Sequence, residues 1–236
     1  MAIFNSVYKS FEQWWQPWAD TALYYSFNDD TASTVYDWVW NYDGTWENSS
    51  WTYEAVQYWK TAIFDGDTNC YIKIPTTFTF PTTDFTISFW TNFTYTTWTA
   101  SDNPPFFSKR NGNSSTNCYL FVCNTLGKVH VDIPYVAALF ESTNAINDGN
   151  RHLVVITKSW SNYSLYVDLD NPQTATNSAS LHWWSSTQWL IWCPNNQPSW
   201  TRFKWKIDEF IVEDVAWSSQ DRTDYYNLTK SYFGIS

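Results

Sequence analysis

The chain has 236 residues, 13 basic against 23 acidic side chains for a formal net charge of -10, and aromatic rings at 21% of its positions, including 18 tryptophans. Its one adjacent basic pair is Lys109–Arg110, so no basic stripe is present to displace phosphate counterions, which excludes nucleic acid and an anionic membrane surface as partners. The length suits one all-β domain with its own core, and the longest apolar runs, PYVAALF and WLIWC, fall far short of the roughly 20 residues that a membrane span needs.

The first predicted element is a helical arm at residues 1–20. Phe4, Val7, Tyr8, Phe11, Trp14, Trp15 and Trp18 follow i, i+3, i+4, i+7 spacing, with polar residues between them. This spacing predicts an amphipathic helix over 3–15, stopped by Pro17. Interfacial membrane helices carry a Lys/Arg-rich polar face, whereas this one has only Lys9, so the aromatic stripe is expected to pack on protein. Its own domain and a neighbouring subunit both fit. The arm lacks a continuous apolar core and a small-residue cleavage site, so it is not expected to be a cleaved signal peptide. Yet charged residues are only 15%, a composition that suits an outward-facing surface. A virion protein, or one at the cell exterior without a cleaved signal, reconciles the two.

After Trp18 the apolar period becomes two. ALYYSF (22–27) reads as the first strand, and residues 29–60 read as a long Trp-rich excursion. Strand-like runs follow, among them CYIKIP, DFTISFWTNFTY, CYLFVC, KVHVDI, HLVVITKSW, YSLYVDL and FKWKIDEFIVEDVAW, separated by turn signals such as NGN, LGK and NDGN. Phe85, Ile87 and Phe89 should face one way and Thr86, Ser88 and Trp90 the other. Val129, Val131 and Ile133 should face in, leaving Lys128, His130 and Asp132 outside. Strands of this length and spacing predict an antiparallel two-sheet sandwich over 21–236. Ser218 followed by Asp221 marks the N-cap of a short C-terminal helix.

The order LYYSFND, AIFDGDTNCYIKIP, DFTISFW, NDGNRHLVVITK, SLYVDL and KIDEFIVEDVAW resembles the laminin-G-like, concanavalin-A-like jelly-roll superfamily over residues 22–230. Two positions depart from its pattern: Arg151 stands where the family has Trp, and Leu169 where it has Gly. The resemblance implies a curved jelly-roll sandwich whose members mostly bind carbohydrate or protein surfaces, some with calcium at a loop edge. The superfamily also includes glucanases.

Glycoside hydrolysis needs two carboxyls close together over the sugar. DEFIVED is the nearest candidate, but as a regular strand it puts Asp208, Phe210 and Val212 on one face and Glu209, Ile211 and Glu213 on the other. Glu209 and Glu213 are then about 13 Å apart, too far for a retaining pair. The glucanase spacing E-x-D-x-x-E is absent, and Asp208–Glu209 matches the structural iDE pair that the resemblance implies. His152 matches a core position of the family. No catalytic residue is assigned.

No cofactor is required. Asp29, Asp30, Asp168 and Asp170 offer hard oxygen ligands that suit calcium, although Asp and Asn also cap turns unaided. Cys70, Cys118, Cys123 and Cys193 form no CxxC pair, which disfavours zinc and leaves buried thiols or two disulfides. On one strand Cys118 and Cys123 lie roughly 17 Å apart, so each could bridge only to Cys70 or Cys193. N-x-S/T sequons at Asn48, Asn92, Asn113, Asn162 and Asn227 are candidate glycosylation sites.

The tryptophans can stack on sugar rings, line protein interfaces or fill a core poor in Met. Trp38, Trp40, Trp46, Trp51, Trp183 and Trp184 are the candidate contacts for glycan or partner. The expected function is a non-enzymatic, surface-displayed structural protein, such as a virion coat or decoration component that assembles with itself or other coat subunits through aromatic faces. The alternative is a glycan-binding attachment module.

Overall fold

The computed structural model describes residues 20–31, 33–47, 51–55, 60–64, 70–94, 105–108, 120–123, 126–133, 136–178, 189–191 and 205–235. The arm predicted at 1–20 lies outside them except for Asp20.

Two antiparallel sheets face each other. In the first, the order is β14 (Gln173–Thr176), β13 (Asn162–Val167), β12 (Asp148–Ser159), β7 (Asp84–Thr94), β16 (Trp205–Glu213), β5 (Lys60–Phe64) and β4 (Trp51–Ala55). One half of β16 pairs with β5 and the other half with β1 (Thr21–Tyr25). In the second, the order is β11 (Val136–Ala145), β10 (Lys128–Ile133), β9 (Leu120–Cys123), β8 (Pro105–Ser108), β15 (Leu190–Ile191), β6 (Tyr71–Lys73), β3 (Gly44–Glu47) and β2 (Thr34–Val35). The inner faces share one apolar core, with Phe85, Ile87, Phe89 and Ile156 from the first sheet and Ile72, Phe107, Val129 and Ile191 from the second. This is the expected jelly-roll sandwich.

The alternation expected in β7 is observed. Phe85, Ile87 and Phe89 point into the sandwich, and Trp90 points away from it. Trp90 is nevertheless fully buried, because the helix α1 (Ser219–Thr229) and the 3-10 turn Lys230–Phe233 lie across the outer face of the first sheet. Its Nε1 donates to Thr229 Oγ1 at 3.0 Å, and its ring meets those of Tyr226 and Phe233. The helix begins as expected, with Ser218 and Asp221 forming a reciprocal capping box.

Three expectations are corrected. The segment 29–60 is not one irregular excursion, since it contains β2, β3 and β4. Trp46 on β3 is a core residue, 5% exposed, its ring tilted against that of Phe64 and its Nε1 donating to the Tyr53 hydroxyl at 3.1 Å. Its strand partner Ile72 also faces the core, so the period of two turns this indole inward. His130 is not solvated, because it is only 6% exposed.

Candidate functional site

The sheet face beneath α1 holds the acids of DEFIVED. Asp208 pairs with Trp90, but Ile211 pairs with Ser88, so two residues of β16 oppose one of β7. Glu209 sits in this bulge with φ of 51°, a left-handed conformation uncommon for a residue with a side chain. The extra residue shifts the alternation. Ile207, Phe210 and Val212 face the inner core, whereas Asp208, Glu209 and Glu213 bond to groups on the outer side. Asp208 therefore does not share a face with Phe210 and Val212, as unbroken alternation would require.

All three carboxyls are sealed, none more than 4% exposed. Asp208 Oδ2 accepts from Thr61 Oγ1 at 2.8 Å and lies 4.0 Å from Arg151 Nη1. Burial pushes Asp208 up to about 7, with Arg151 and Thr61 pulling the other way. Glu209 accepts from the Tyr24 hydroxyl at 2.7 Å; burial and the neighbouring Asp208 push it well up. Glu213 accepts from Thr21 Oγ1 and Trp217 Nε1, and burial still pushes it up to about 7. Carboxyls closed off beneath a helix cannot meet a polysaccharide. The departure at Arg151 now has a reason: its guanidinium lies by Asp208, donates to Thr61 and stacks over the Phe233 ring at 4.7 Å.

His152 bridges two acids, with Nδ1 at 2.8 Å from Asp168 and Nε2 at 3.0 Å from Asp148. Burial lowers its pKa, but the hydrogen bonds to both carboxylates outweigh this and raise it overall. In the protonated ring both nitrogens donate to these carboxylates, which holds the ring in a structural role. Asp168 takes the left-handed conformation, φ 53°, and Leu169 does not, so a side chain is tolerated at the position where the family pattern has Gly.

Three exposed rings lie together on the loop between β2 and β3, in the sequence YDWVWNYD. Tyr36, Trp38 and Trp40 are 38%, 40% and 58% exposed. The residues between them point the other way. Val39 packs against the cluster of Tyr24, Trp90, Trp217 and Tyr225. Asp37 is buried, and its carboxylate accepts four backbone amides: Tyr24 at 3.0 Å, Val39 at 3.2 Å, Trp40 at 2.9 Å and Tyr42 at 3.0 Å. One carboxylate thus organises the loop as a helix cap organises a first turn. The Trp38 amide donates to the Tyr24 carbonyl at 3.1 Å, and Trp40 Nε1 to the Thr21 carbonyl at 2.8 Å. Asp30 accepts from the Tyr36 amide and the Tyr53 hydroxyl; burial pushes it up to about 6, and those bonds pull it back. The backbone beneath these exposed rings is thus fixed, and rings held in this way suit the faces of sugars.

Of the predicted contacts, the structure brings Trp38 and Trp40 together on this loop and places Trp46 in the core. The Trp51 side chain and all of Trp183 and Trp184 lie outside the described residues, as do the arm residues Phe4 to Trp18. Sequence reasoning missed Tyr36 and Asp37; the period-two run from Tyr36 to Trp40 was the available signal. Of the calcium candidates, Asp30 and Asp168 are engaged as above, Asp29 is exposed, and Asp170 accepts from Asn144 Nδ2 at 2.8 Å. Among the described residues no group of three or more His, Cys, Asp or Glu could hold a metal ion. Cys70 is buried in the core, whereas Cys118, Cys193 and the Cys123 side chain lie outside the described residues. Asn162 and Asn227 are exposed and Asn92 is half-buried, donating to the Gly149 carbonyl; Asn48 and Asn113 lie outside the described residues. No helix among the described residues is long and apolar enough to cross a membrane.

A family model described as the concanavalin A-like lectin/glucanases superfamily matches residues 65–221. No curated protein matches the sequence. The chain is similar to domain 4 of an extracellular arabinanase from Geobacillus stearothermophilus, solved in complex with arabinotriose (15% identity, TM-score 0.69, 87% of this chain and 97% of that one). It is also similar to the binding domain of Paraclostridial Mosquitocidal Protein 1 (12% identity, TM-score 0.70, 92% and 55%). A Trypanosoma rangeli sialidase mutant displaying trans-sialidase activity matches at 12% identity and TM-score 0.67, over 93% and 34%. The chain thus spans just over half of the mosquitocidal binding domain and about a third of the sialidase. At these identities the likeness is one of fold.

Proposed function

Because the chain belongs to the concanavalin A-like lectin/glucanases superfamily, we propose that it is a non-catalytic binding module that holds glycan on the rings of Tyr36, Trp38 and Trp40. The observation that carries this reading is the loop itself. Its large rings face solvent, while a buried carboxylate holds the backbone beneath them rigid. Pre-organised aromatics stack on sugars at little entropic cost. The arabinotriose complex of the arabinanase domain and the binding domain of the mosquitocidal protein are consistent with such a use of the fold. No hydrolysis is assigned, because the acids of β16 are sealed under α1.

The test is a glycan array probed with the wild-type chain and with the double variant Trp38→Ala, Trp40→Ala. Retention on one or more neutral glycans, lost in the variant, is expected. Equal retention by both proteins would overturn the proposal, and turnover of a β-glucan would overturn its non-catalytic part. The same exposed rings also suit a protein partner. A coat or decoration role at a virion or cell exterior is the second reading, with the aromatic stripe of residues 1–18 as its assembly element. It predicts a concentration-dependent multimer that disperses when 1–18 are deleted, measured by light scattering.

A further inference from the structure

Trp160 is 76% exposed, more than any other large apolar side chain among the described residues. It begins the two-residue turn between β12 and β13, with φ of 57°. Such turns favour Gly, Asn or Asp, so a tryptophan here is strained while its ring adds nothing to the core. Its amide donates to Asp84 Oδ1 at 2.8 Å, tying the turn to the start of β7. A strained backbone beneath a solvated indole points to a use outside the fold.

Strand register locates this indole relative to the aromatic loop. Thr157, Thr86, Glu213 and Thr21 form one row across β12, β7, β16 and β1. Beyond that row, Ser159 pairs with Asp84, and the Asp214 amide donates to the Asp20 carbonyl at 2.9 Å. Trp160 closes this end of the sheet on the β12 side. Trp40, bonded to the Thr21 carbonyl, closes it on the β1 side. Three strand spacings separate the two flanks, about 15 Å. The rim between them carries Asp20, Asp84 and Asp214. Lys158, buried and donating to the carbonyls of Thr82 and Thr83, interacts with Asp84 and offsets part of this charge, leaving the rim acidic on balance.

We propose that Trp160 and Trp40 are the two ends of one binding rim for an extended, uncharged oligosaccharide chain. One ring stacks on each indole, and hydroxyls between them face the carboxylates. This rests on the glycan reading of the aromatic loop and adds to it a chain length and a charge class. Carboxylates accept from hydroxyls and repel sulfate, uronate and sialate groups, so the rim discriminates against anionic glycans. A ligand of two rings reaches one indole only.

The test is titration calorimetry with manno-, cello- and arabino-oligosaccharides of two to eight rings, with sialyllactose and heparin oligosaccharides as anionic counterparts. Wild-type affinity is expected to step up once the chain is long enough to reach both indoles. Trp160→Asn suits the left-handed turn and so keeps the hairpin. It is expected to remove the step, weakening the longest chains about tenfold and sparing the shortest. Trp40→Ala is expected to weaken every length. If Trp160→Asn binds all lengths like wild type while Trp40→Ala loses affinity, the rim is wrong and the loop reading stands. If Trp40→Ala also binds like wild type, or no ladder binds the wild-type chain, both fail. Tighter binding of an anionic glycan than of the neutral ladders would overturn the charge class.

Discussion

Beneath α1 and on the loop between β2 and β3, the same residue types serve opposite ends. Under the helix, Trp90, Trp217 and Tyr225 are buried beside carboxyls and form the seal. On the loop, the buried carboxylate is Asp37, and the rings of Tyr36, Trp38 and Trp40 are turned out to water. What decides is where the backbone donors and ring N–H groups find acceptors. Trp90 finds Thr229 inside the seal, and Trp217 finds Glu213 there. The loop amides converge on the buried Asp37 and Val39 packs inward beside it, while the rings of Tyr36, Trp38 and Trp40 are exposed.

The contrast breaks most severely at Trp90. Trp90→Ala removes the ring under Tyr226 and Phe233 and should cost about 3–5 kcal/mol in urea unfolding. Asp37→Ala strands four amides and should cost about 2–3 kcal/mol, abolishing glycan retention although every ring remains. Asp37→Asn keeps one acceptor oxygen and should cost less on both measures.

The sealed acids make stability depend on pH. Asp208, Glu209 and Glu213 have folded pKa values raised above their unfolded values near 4. Their neutral forms are the ones the fold tolerates, so stability is fully present below about pH 4 and is lost as pH rises through about 7. His152, also raised, adds a loss above its ordinary range near 6.5. Asp148 is lowered, so its contribution disappears only as pH falls below its ordinary value. The melting temperature is therefore expected to be higher at pH 4.5 than at pH 8. Glu213→Gln should gain about 2 kcal/mol at pH 8 and little at pH 4. A melting temperature that rises with pH would contradict the sealed-acid account. The smallest expected effect on folding is that of Trp38→Ala, within about 0.5 kcal/mol, despite the removal of a whole indole.

The architecture was legible because it rests on local periodicity. Phe85, Ile87 and Phe89 alternate as a half-buried strand must, and Ser218 with Asp221 announces the last helix. The face of DEFIVED was not legible, because the bulge at Glu209 is set by pairing with β7, far away in sequence. Trp46 and Trp40 look alike as residues in a Trp-rich stretch, yet one lies on a strand facing the core and the other on a loop pinned by Asp37. Composition could not separate them. Trp160 ends the strand-like run HLVVITKSW, and nothing local marks it as the first residue of a left-handed turn.

The most direct measurement is the indole N–H region of a nitrogen–proton correlation spectrum, recorded while a neutral oligosaccharide retained on the array is added. The signals of Trp38 and Trp40 should shift in saturable fashion, with those of buried Trp90, Trp205 and Trp217 unmoved. Saturable shifts confined to the buried indoles, with Trp38 and Trp40 unmoved, would contradict the division of labour described above.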